Sequence, residues 1–245
     1  MSLKTVIIGG HGKVALRLGR LLAGAGHSVV SLIRDESQSA DILETGATPL
    51  TISLEESDPS DLAKVFNGVD VVYFSAGAGG KGGAERTKKV DYEGALKVFD
   101  AIEKVEENPP KLILVSGVDV RDPDRIPHTT EQDKEVSKRI RARIPDWMHW
   151  KYEADKNLAA RTKFNWFILR PGGLADSPGT GKADIGITHI SQLIPRDDVA
   201  QALFLLANRK DIYGLSLDIV GGDTPIQEGL DAAIAKRVKA LDVSV

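Results

Sequence analysis

A tyrosine and a lysine four positions apart are the residues of this chain best suited, by type and spacing, to acid–base chemistry. On a helix, Tyr152 and Lys156 would be one turn apart, so both side chains would lie on one face. A phenol in that position can give or take a proton, and the neighbouring ammonium charge lowers the pKa of the phenol. The alternative is an ordinary solvent-facing pair on the outside of a helix.

A glycine-rich turn follows the first apolar run. Its pattern, Gly10-x-Gly12-x-x-Ala15, lies between an apolar segment and an amphipathic one. Glycines permit a tight turn and let a pyrophosphate approach the backbone, and the N–H groups at the start of the next helix face the phosphates. Outside that context the pattern would be a structural turn only. Here it predicts a dinucleotide site, with these candidate binding residues: Gly9, Gly10, His11, Gly12, Lys13 and Val14.

The end of the second apolar run determines the cofactor preference. An acidic residue there would accept a hydrogen bond from the ribose 2′-hydroxyl and favour NAD. This chain has Arg34 at that place, followed by Asp35. Because a guanidinium matches a 2′-phosphate in charge and geometry, NADP(H) is the predicted cofactor. NAD(H) is the alternative if Asp35 turns inward.

A run of small residues follows the fourth apolar segment. Small side chains at the carboxyl edge of a sheet leave room for a ligand in the crevice there. The alternative is a flexible surface loop. The run adds three candidate cofactor-binding residues: Ser75, Ala76 and Gly77.

Composition restricts the class of protein. Hydrophobic residues make up 42% of the 245 residues, enough for a sizeable core, and the formal net charge of −3 gives no electrostatic basis for binding nucleic acid. There is no cysteine, and the five histidines show no ligand-like spacing, so no metal site is expected. No apolar stretch reaches the ~20 residues of a membrane span, and the N-terminus lacks a signal-peptide pattern. We expect a cytoplasmic protein that acts on a small molecule.

Strand-like and helix-like segments alternate along the whole chain. The short β-branched runs lack an apolar–polar alternation, which is typical of parallel strands covered on both faces. The pattern predicts an α/β fold with a doubly wound (Rossmann) parallel sheet of about seven strands, formed by residues 1–245 as a single domain. The predicted strands are residues 5–8, 28–33, 48–52, 69–75, 111–116, 164–169 and 215–220. The predicted helices are near residues 13–24, 36–45, 58–67, 85–106, 147–161, 196–207 and 226–240.

Three segments have separate interpretations. Residues 121–143 are dense in charge and follow the fifth strand; they are interpreted as a solvated loop and helix, with a mobile flap over the substrate side as the functional alternative. Residues 171–195 and 221–245 are expected to contribute a small C-terminal cap on the substrate side.

Further motifs occur in a familiar order after the glycine turn of residues 9–15. They are residues 90–95, 114–116, 151–158, 170–174, 178–182, 194–200 and 222–226. Together they resemble the atypical short-chain dehydrogenases/reductases of the NAD(P)H-binding, NmrA-like superfamily, and within it the NAD(P)-dependent epimerase/dehydratase-like proteins. The likeness covers nearly the whole chain and is specific for the superfamily, not for one substrate.

The resemblance implies roles for residues beyond the turn. Ser116 would hydrogen-bond the reacting oxygen of the substrate, although a serine at a strand end can equally cap a turn. Asp91 would lie where related enzymes have a structural asparagine. Ser53 replaces an aspartate that contacts the adenine in related proteins, which weakens that contact. Three residues would lie near the nicotinamide carboxamide: Pro171, Gly172 and Gly173.

The family pattern also changes the assignment of the acid–base pair. Related proteins have Ala-Asp and a leucine at fixed distances after the tyrosine, and this chain fits that spacing only if the family's lysine is Lys151. The tyrosine position is then Trp147, and Tyr152 points about 100° away from the stripe that contains Trp147 and Lys151. We favour this register, in which Lys151 binds the nicotinamide ribose. Three residues agree with it: Ala154, Asp155 and Leu158.

The expected function is that of an NADP(H)-dependent oxidoreductase acting on a small carbonyl compound or alcohol, with an altered Tyr/Lys site. Its proton donor stays open between Tyr152, a water molecule, and Asp91 acting through water. One alternative is a non-catalytic NADP(H)-binding redox sensor, which Trp147 at the tyrosine position favours. The other is a nicotinamide-dependent epimerase or dehydratase, for which the same site would serve.

Overall fold

One mixed sheet runs through the computed structural model of the chain, which describes residues 1–79, 82–122, 130–190 and 193–241. Numbered in chain order, its strands are β1 (Lys4–Ile8), β2 (Ser28–Ile33), β3 (Thr48–Thr51), β4 (Val71–Phe74), β5 (Lys111–Val115), β6 (Trp166–Pro171), β8 (Lys182–Gly186) and β10 (Leu215–Pro225). A separate pair is formed by β7 (Leu174–Ala175) and β9 (Ile194–Pro195).

The strand order in the sheet is β3-β2-β1-β4-β5-β6-β10-β8. The first seven of these strands pair in parallel, and β8 pairs antiparallel with β10 at the edge. Every residue of β4 and of β6 is buried, as expected for strands that are covered on both faces. The predicted doubly wound sheet is confirmed, and β8 is an addition that the sequence pattern did not predict.

The helices lie on both faces of the sheet. They are α1 (Lys13–Gly24), α2 (Ser39–Leu43), α3 (Pro59–Phe66), α4 (Gly83–Thr87), α5 (Gly94–Glu103), α6 (Glu131–Arg143), α7 (Pro145–Ala159), α8 (Arg196–Leu206) and α9 (Ile226–Ala235). One hydrophobic cluster joins α1, α8 and α9 to the sheet through residues such as Leu18, Leu203 and Leu230. The other joins α3 and α5 through Phe66 and Phe99.

The helix expected near residues 85–106 is divided by a π-helical segment, Lys88–Glu93, between α4 and α5. A π-helical turn holds more residues than an α-helical one, so it changes the direction of the side chains that follow. Within this segment Val90 and Asp91 are buried. A buried carboxylate on a widened helical turn requires a partner, and Asp91 has one in the site described below.

The described part of residues 121–143 consists mainly of α6, which is attached to the core on one face. Asp119, fully buried after β5, accepts a hydrogen bond of 2.6 Å from the Ser137 hydroxyl and forms ion pairs of 3.2 Å with Arg121 and Arg141. The expected solvated helix is therefore anchored by a buried carboxylate. Residues 123–129 of the predicted flap lie outside the described residues.

The segments assigned to the cap contain β7, β8, β9 and α9, and β8 lengthens the main sheet. Among the helices of the described residues, none has both the length and the apolar composition to cross a bilayer.

Candidate cofactor and catalytic site

The strand order reverses between β1 and β4, since the chain moves outward from β1 to β2 and β3 on one side and from β4 to β5 and β6 on the other. In doubly wound sheets, ligands bind in the crevice outside the carboxyl ends of the strands at this switch point. The glycine turn follows β1, and Ser75 and Ala76 follow β4. Both predicted cofactor-binding segments therefore meet at the same crevice.

Gly9 and Gly10 are required by the packing of the protein itself. Gly9 has a φ of +76°, and a Cβ there would lie 2.6 Å from the Cα of Ala76. A Cβ at Gly10 would lie 2.6 Å from the Cβ of Ser31. These two glycines bring β1 close to the chain after β4 and to β2, so their absent side chains leave room for the neighbouring chain. The close approach of a pyrophosphate to these glycines stays a prediction.

Gly12 has the more open position in the turn. A Cβ there would lie 3.2 Å from the Gly9 carbonyl oxygen and 3.8 Å from the Ser75 carbonyl oxygen, between the chain ends that follow β1 and β4. Gly12 is also the N-cap of α1, which has neither a side-chain cap nor an acidic residue in its first turn. Such a helix N-terminus favours an anion, and this cradle fits a dinucleotide pyrophosphate. Val14, in the first turn of α1, is buried.

The two polar side chains of the turn have partners elsewhere in the protein. His11 Nε2 lies 2.5 Å from Asp41 Oδ2 on α2, which supports its interpretation as a loop residue. Lys13 Nζ donates to Asp176 Oδ2 at 2.8 Å across the crevice, and Arg196 donates to the other oxygen of the same carboxylate at 2.8 Å.

Asp35, the acidic residue after β2, is hydrogen-bonded to Ser37, and the charge of Arg34 also acts on it. Asp35 accepts hydrogen bonds from the Ser37 backbone N–H at 3.0 Å and from the Ser37 hydroxyl at 2.7 Å. These two bonds hold the pKa of Asp35 below its usual value. Arg34 is exposed to solvent at the end of β2. Asp35 is thus engaged in capping a turn.

Lys151 is the buried cation of the site. Its Nζ lies 3.4 Å from Asp91 Oδ1 and donates to the carbonyl oxygens of Ala76, at 3.4 Å, and Val115, at 3.3 Å. Asp91 is fully buried and accepts a 2.9 Å hydrogen bond from the Ala78 N–H. Gly77 is adjacent, because a Cβ there would lie 3.0 Å from Asp91 Oδ1. The π-helical segment therefore places a carboxylate that holds both Lys151 and the loop after β4.

Ser116 follows β5 directly. Its N–H bonds the Leu169 carbonyl oxygen at 2.8 Å, and its hydroxyl donates to Asp155 Oδ2 at 2.6 Å. Asp155 is fully buried one turn after Lys151 on α7. Burial raises the pKa of Asp155 to about 6, although the charges of Arg170 and Lys151 and the bond from Ser116 oppose this shift.

Trp147 covers the chain next to Ser116. A Cβ at Gly117 would lie 2.7 Å from the Trp147 ring, so the glycine leaves the space that the indole fills. Tyr152 lies elsewhere: its ring packs at the edge of the α3–α5 core, with Lys156 Nζ 4.8 Å from the ring centre. Lys156 also pairs with Glu153 at 2.6 Å. The structure thus brings Trp147 and Lys151 to the cluster and does not bring Tyr152 or Lys156 there.

The Pro-Gly-Gly segment after β6 lies beside the end of β5. Pro171 accepts a 2.9 Å bond from the Val118 N–H, and Gly172 donates one of 2.9 Å to the Ile219 carbonyl. At Gly173 a Cβ would lie 2.6 Å from the Leu193 side chain. These bonds fix the segment next to Ser116, at the carboxyl edge of the sheet.

Asp155 and Arg170 were missed as supporting residues of the site. Arg170 is fully buried, donates to the carbonyls of Gly117 at 3.4 Å and Val120 at 3.1 Å, and pairs with Asp218 at 3.1 Å. Asp155 had a signal in the sequence, since it lies one turn beyond Lys151 on the stripe that begins at Trp147. Arg170 begins the motif of residues 170–174, but that motif gave the arginine itself no role.

Comparison with known proteins identifies the class. A family profile described as NAD(P)H-binding matches residues 9–210, most of the chain. The chain therefore belongs to this NAD(P)H-binding family, and the resemblance inferred from the motifs is confirmed.

Particular relatives cover nearly the full length. A UPF0659 protein of Schizosaccharomyces pombe is 38% identical over 245 residues, which is 98% of each chain. YhfK of Bacillus subtilis, named an uncharacterized sugar epimerase, is 32% identical over 229 residues, with 93% of this chain and 99% of that protein covered. A solved structure from Bacillus halodurans, described as a candidate NAD-dependent epimerase/dehydratase, is 29% identical with a TM-score of 0.79, covering 94% of this chain and 100% of that one.

Proposed function

We propose that the protein is an NADP(H)-dependent oxidoreductase that acts on a small carbonyl compound or alcohol. The observation that favours this function is the buried cluster of Lys151, Asp91 and Ser116 beside the uncapped N-terminus of α1. When bound, the nicotinamide cofactor supplies or accepts the hydride. Lys151 holds the nicotinamide ribose, since Asp91 fixes its ammonium group at the edge of the sheet. Ser116 holds the reacting oxygen of the substrate.

The residues that line the crevice supply the other contacts to the cofactor. The N-terminal turn of α1 binds the pyrophosphate, and the loop of Ser75, Ala76 and Gly77 forms the opposite wall. The segment of Pro171, Gly172 and Gly173 lies against the carboxamide.

The substitution of one arginine tests the cofactor preference. Because Arg34 is exposed and Asp35 is engaged with Ser37, we expect NADPH to bind at least about tenfold more tightly than NADH, or ~1.4 kcal/mol. Arg34→Ala should remove most of that preference, and Arg20→Ala, an exposed arginine on α1, should leave it unchanged. Calorimetric titration of the three proteins with both dinucleotides measures this. Equal affinities in the unmutated protein contradict an NADP(H) preference.

The chemistry is tested by consumption of NADPH with a panel of aldehydes, ketones and quinones. Turnover should be slow with simple aldehydes and ketones, because Trp147 stands where a phenolic acid would be required.

Two other candidate functions are each favoured by one observation. Trp147 at that position favours an NADP(H)-binding sensor without turnover, which would bind NADPH and consume none with any carbonyl. The name of the Bacillus subtilis relative favours an epimerase, which would form product from a sugar substrate without net change in the cofactor.

A further inference from the structure

A buried serine–carboxyl pair lies at the place where the proposed reaction needs a proton. Ser116 Oγ and Asp155 Oδ2 are 2.6 Å apart, and both side chains are buried. The other oxygen of Asp155, Oδ1, has no hydrogen-bond partner among the described residues. One hydrogen atom at a time occupies the space between Oγ and Oδ2, so the protonation state of Asp155 decides which of the two groups donates.

The groups that face Asp155 oppose the effect of burial, so its protonated and ionised forms are close in free energy near neutral pH. Arg170 approaches from β6, and Lys151 from the preceding turn of α7, with its charge shared by Asp91 on the π-helical segment. Burial raises the pKa of Asp155 to about 6 against these cations and the hydrogen bond from Ser116. Both protonation states are accessible near neutral pH.

Resting on the proposed oxidoreductase function, we propose that Asp155 provides, through Ser116, the proton that a tyrosine at position 147 would have delivered. When Asp155 is protonated, its Oδ2–H donates to Ser116 Oγ, and the serine hydrogen is free to bond the substrate oxygen. When Asp155 is ionised, the serine hydroxyl donates to the carboxylate instead. Asp155 thus positions and reloads Ser116.

The proton balance is complete within this pair. In reduction, the substrate carbon gains a hydride and the carbonyl π electrons move to the oxygen. That oxygen takes the hydrogen of Ser116 Oγ, and Oγ takes the proton of Asp155 Oδ2. Asp155 is left as a carboxylate and regains a proton from water after the alcohol departs. Oxidation of an alcohol is the reverse sequence.

The first test needs no substrate. In NADP⁺-bound protein with isotope-labelled aspartate, the Asp155 carboxyl resonance, identified by its loss in Asp155→Asn, should titrate near pH 6. In Ser116→Ala the midpoint should move upward by about half a pH unit or more, because the hydrogen bond lost to the ionised form is charge-assisted and stronger than the one lost to the protonated form. A carboxyl that stays ionised down to about pH 4, or a midpoint that is unchanged in Ser116→Ala, overturns the relay.

The second test follows the hydride step in a single turnover of NADPH with para-nitrobenzaldehyde and phenanthrenequinone, from about pH 5 to pH 8. The rate should fall about tenfold per pH unit above the Asp155 midpoint, since one proton is needed. Asp155→Asn, whose amide can donate to Ser116 but cannot release a proton, should be at least ~10²-fold slower and independent of pH, with NADPH affinity unchanged within about twofold.

Asp218→Asn is the matched control, because Asp218 is also buried and pairs with Arg170 but has no contact with Ser116. In Asp218→Asn the rate of the hydride step should fall with pH as it does in the unmutated protein. An Asp155→Asn protein that keeps the slope, or an unmutated protein that turns over with a flat profile, overturns the relay alone. A protein that binds NADPH and reduces neither probe contradicts the relay and the proposed function together.

Discussion

At the scale of single residues, Trp147 stands where related enzymes have a tyrosine that acts as an acid. An indole N–H donates a hydrogen bond but is far too weak an acid to supply a proton in the way of a phenol. Its ring instead fills the space over Gly117 and shields the chain beside Ser116. Lys151, one turn later, is held by the Asp91 carboxylate and the Ala76 carbonyl oxygen. Position 147 therefore supplies no acid, and the proposed reaction needs a proton donor elsewhere in the site.

The two possible registers of the acid–base pair give opposite mutant results. Lys151→Met, which keeps most of the side-chain volume, should weaken NADPH binding by about tenfold because the ribose loses its ammonium partner. Tyr152→Phe should change that affinity by less than about twofold, since the Tyr152 ring packs with Lys156 away from the cluster. Fluorescence titration with NADPH measures both, and circular dichroism confirms folding. If Lys156→Met lowers the affinity and Lys151→Met does not, the other register is correct.

Residue types and spacing were sufficient to place the glycine turn, because it depends on a short local pattern, whereas Ser116 and Lys151 were assigned through the resemblance to the family. The partners of these residues could not be read in the same way. Burial raises the pKa of Asp155, and the fold alone brings its carboxyl 2.6 Å from Ser116 Oγ, a contact between residues 39 positions apart.

At the scale of elements, α7 and the π-helical segment supply the buried charged residues of the site, Lys151 and Asp155 from α7 and Asp91 from the π-helical segment. A single regular helix was predicted where α4, the π-helical segment and α5 occur, because one widened turn leaves the apolar periodicity on both sides almost unchanged. The strand β8 was missed for another reason: its five residues, Lys182–Gly186, include two charged side chains and end in glycine, so they do not form a β-branched apolar run.

The attachment of α6 can be tested through Asp119. This residue has a φ of +68°, which asparagine also tolerates, so Asp119→Asn removes the charge without straining the backbone. Arg121 and Arg141 would lose their buried partner, and α6 should detach, with amide hydrogen exchange in residues 131–143 rising by about tenfold or more.

Two further variants serve as controls for the exchange experiment on Asp119→Asn. Ser137→Ala removes the hydrogen bonds of its hydroxyl with Asp119 and Arg141 but leaves the buried charge, so it should give a smaller increase in the same residues. Asp146→Asn, exposed at the start of α7, should give none. Unchanged protection of α6 in Asp119→Asn would mean that its other contacts hold it, among them the bonds of Asp133 with His189 and Ile190.

At the scale of the whole molecule, several charged side chains lie in the interior, where charged groups need partners. Arg170, Asp218, Asp119 and Asp155 are all buried where the ends of β5, β6 and β10 meet. Burial raises the pKa of Asp155 and of Asp218, so the folded state binds protons that the unfolded chain would release. The same region that supports the site therefore makes the stability of the fold depend on pH.

The direction and size of that dependence can be measured on Asp155. Its pKa is about 6 in the folded protein against an ordinary value of 3.8, so its stabilising contribution is complete below pH 3.8 and is lost as the pH rises through about 6. The full difference corresponds to about 3 kcal/mol. Asparagine does not titrate, so the free energy of unfolding of Asp155→Asn, from urea denaturation, should gain on that of the unmutated protein by about 2 kcal/mol or more between pH 4 and pH 7.5. Asp218 is present in both proteins, so its own titration cancels in the comparison. Two stability curves that run parallel across this range would mean that Asp155 does not change its protonation there, and would remove the proton store that the relay requires.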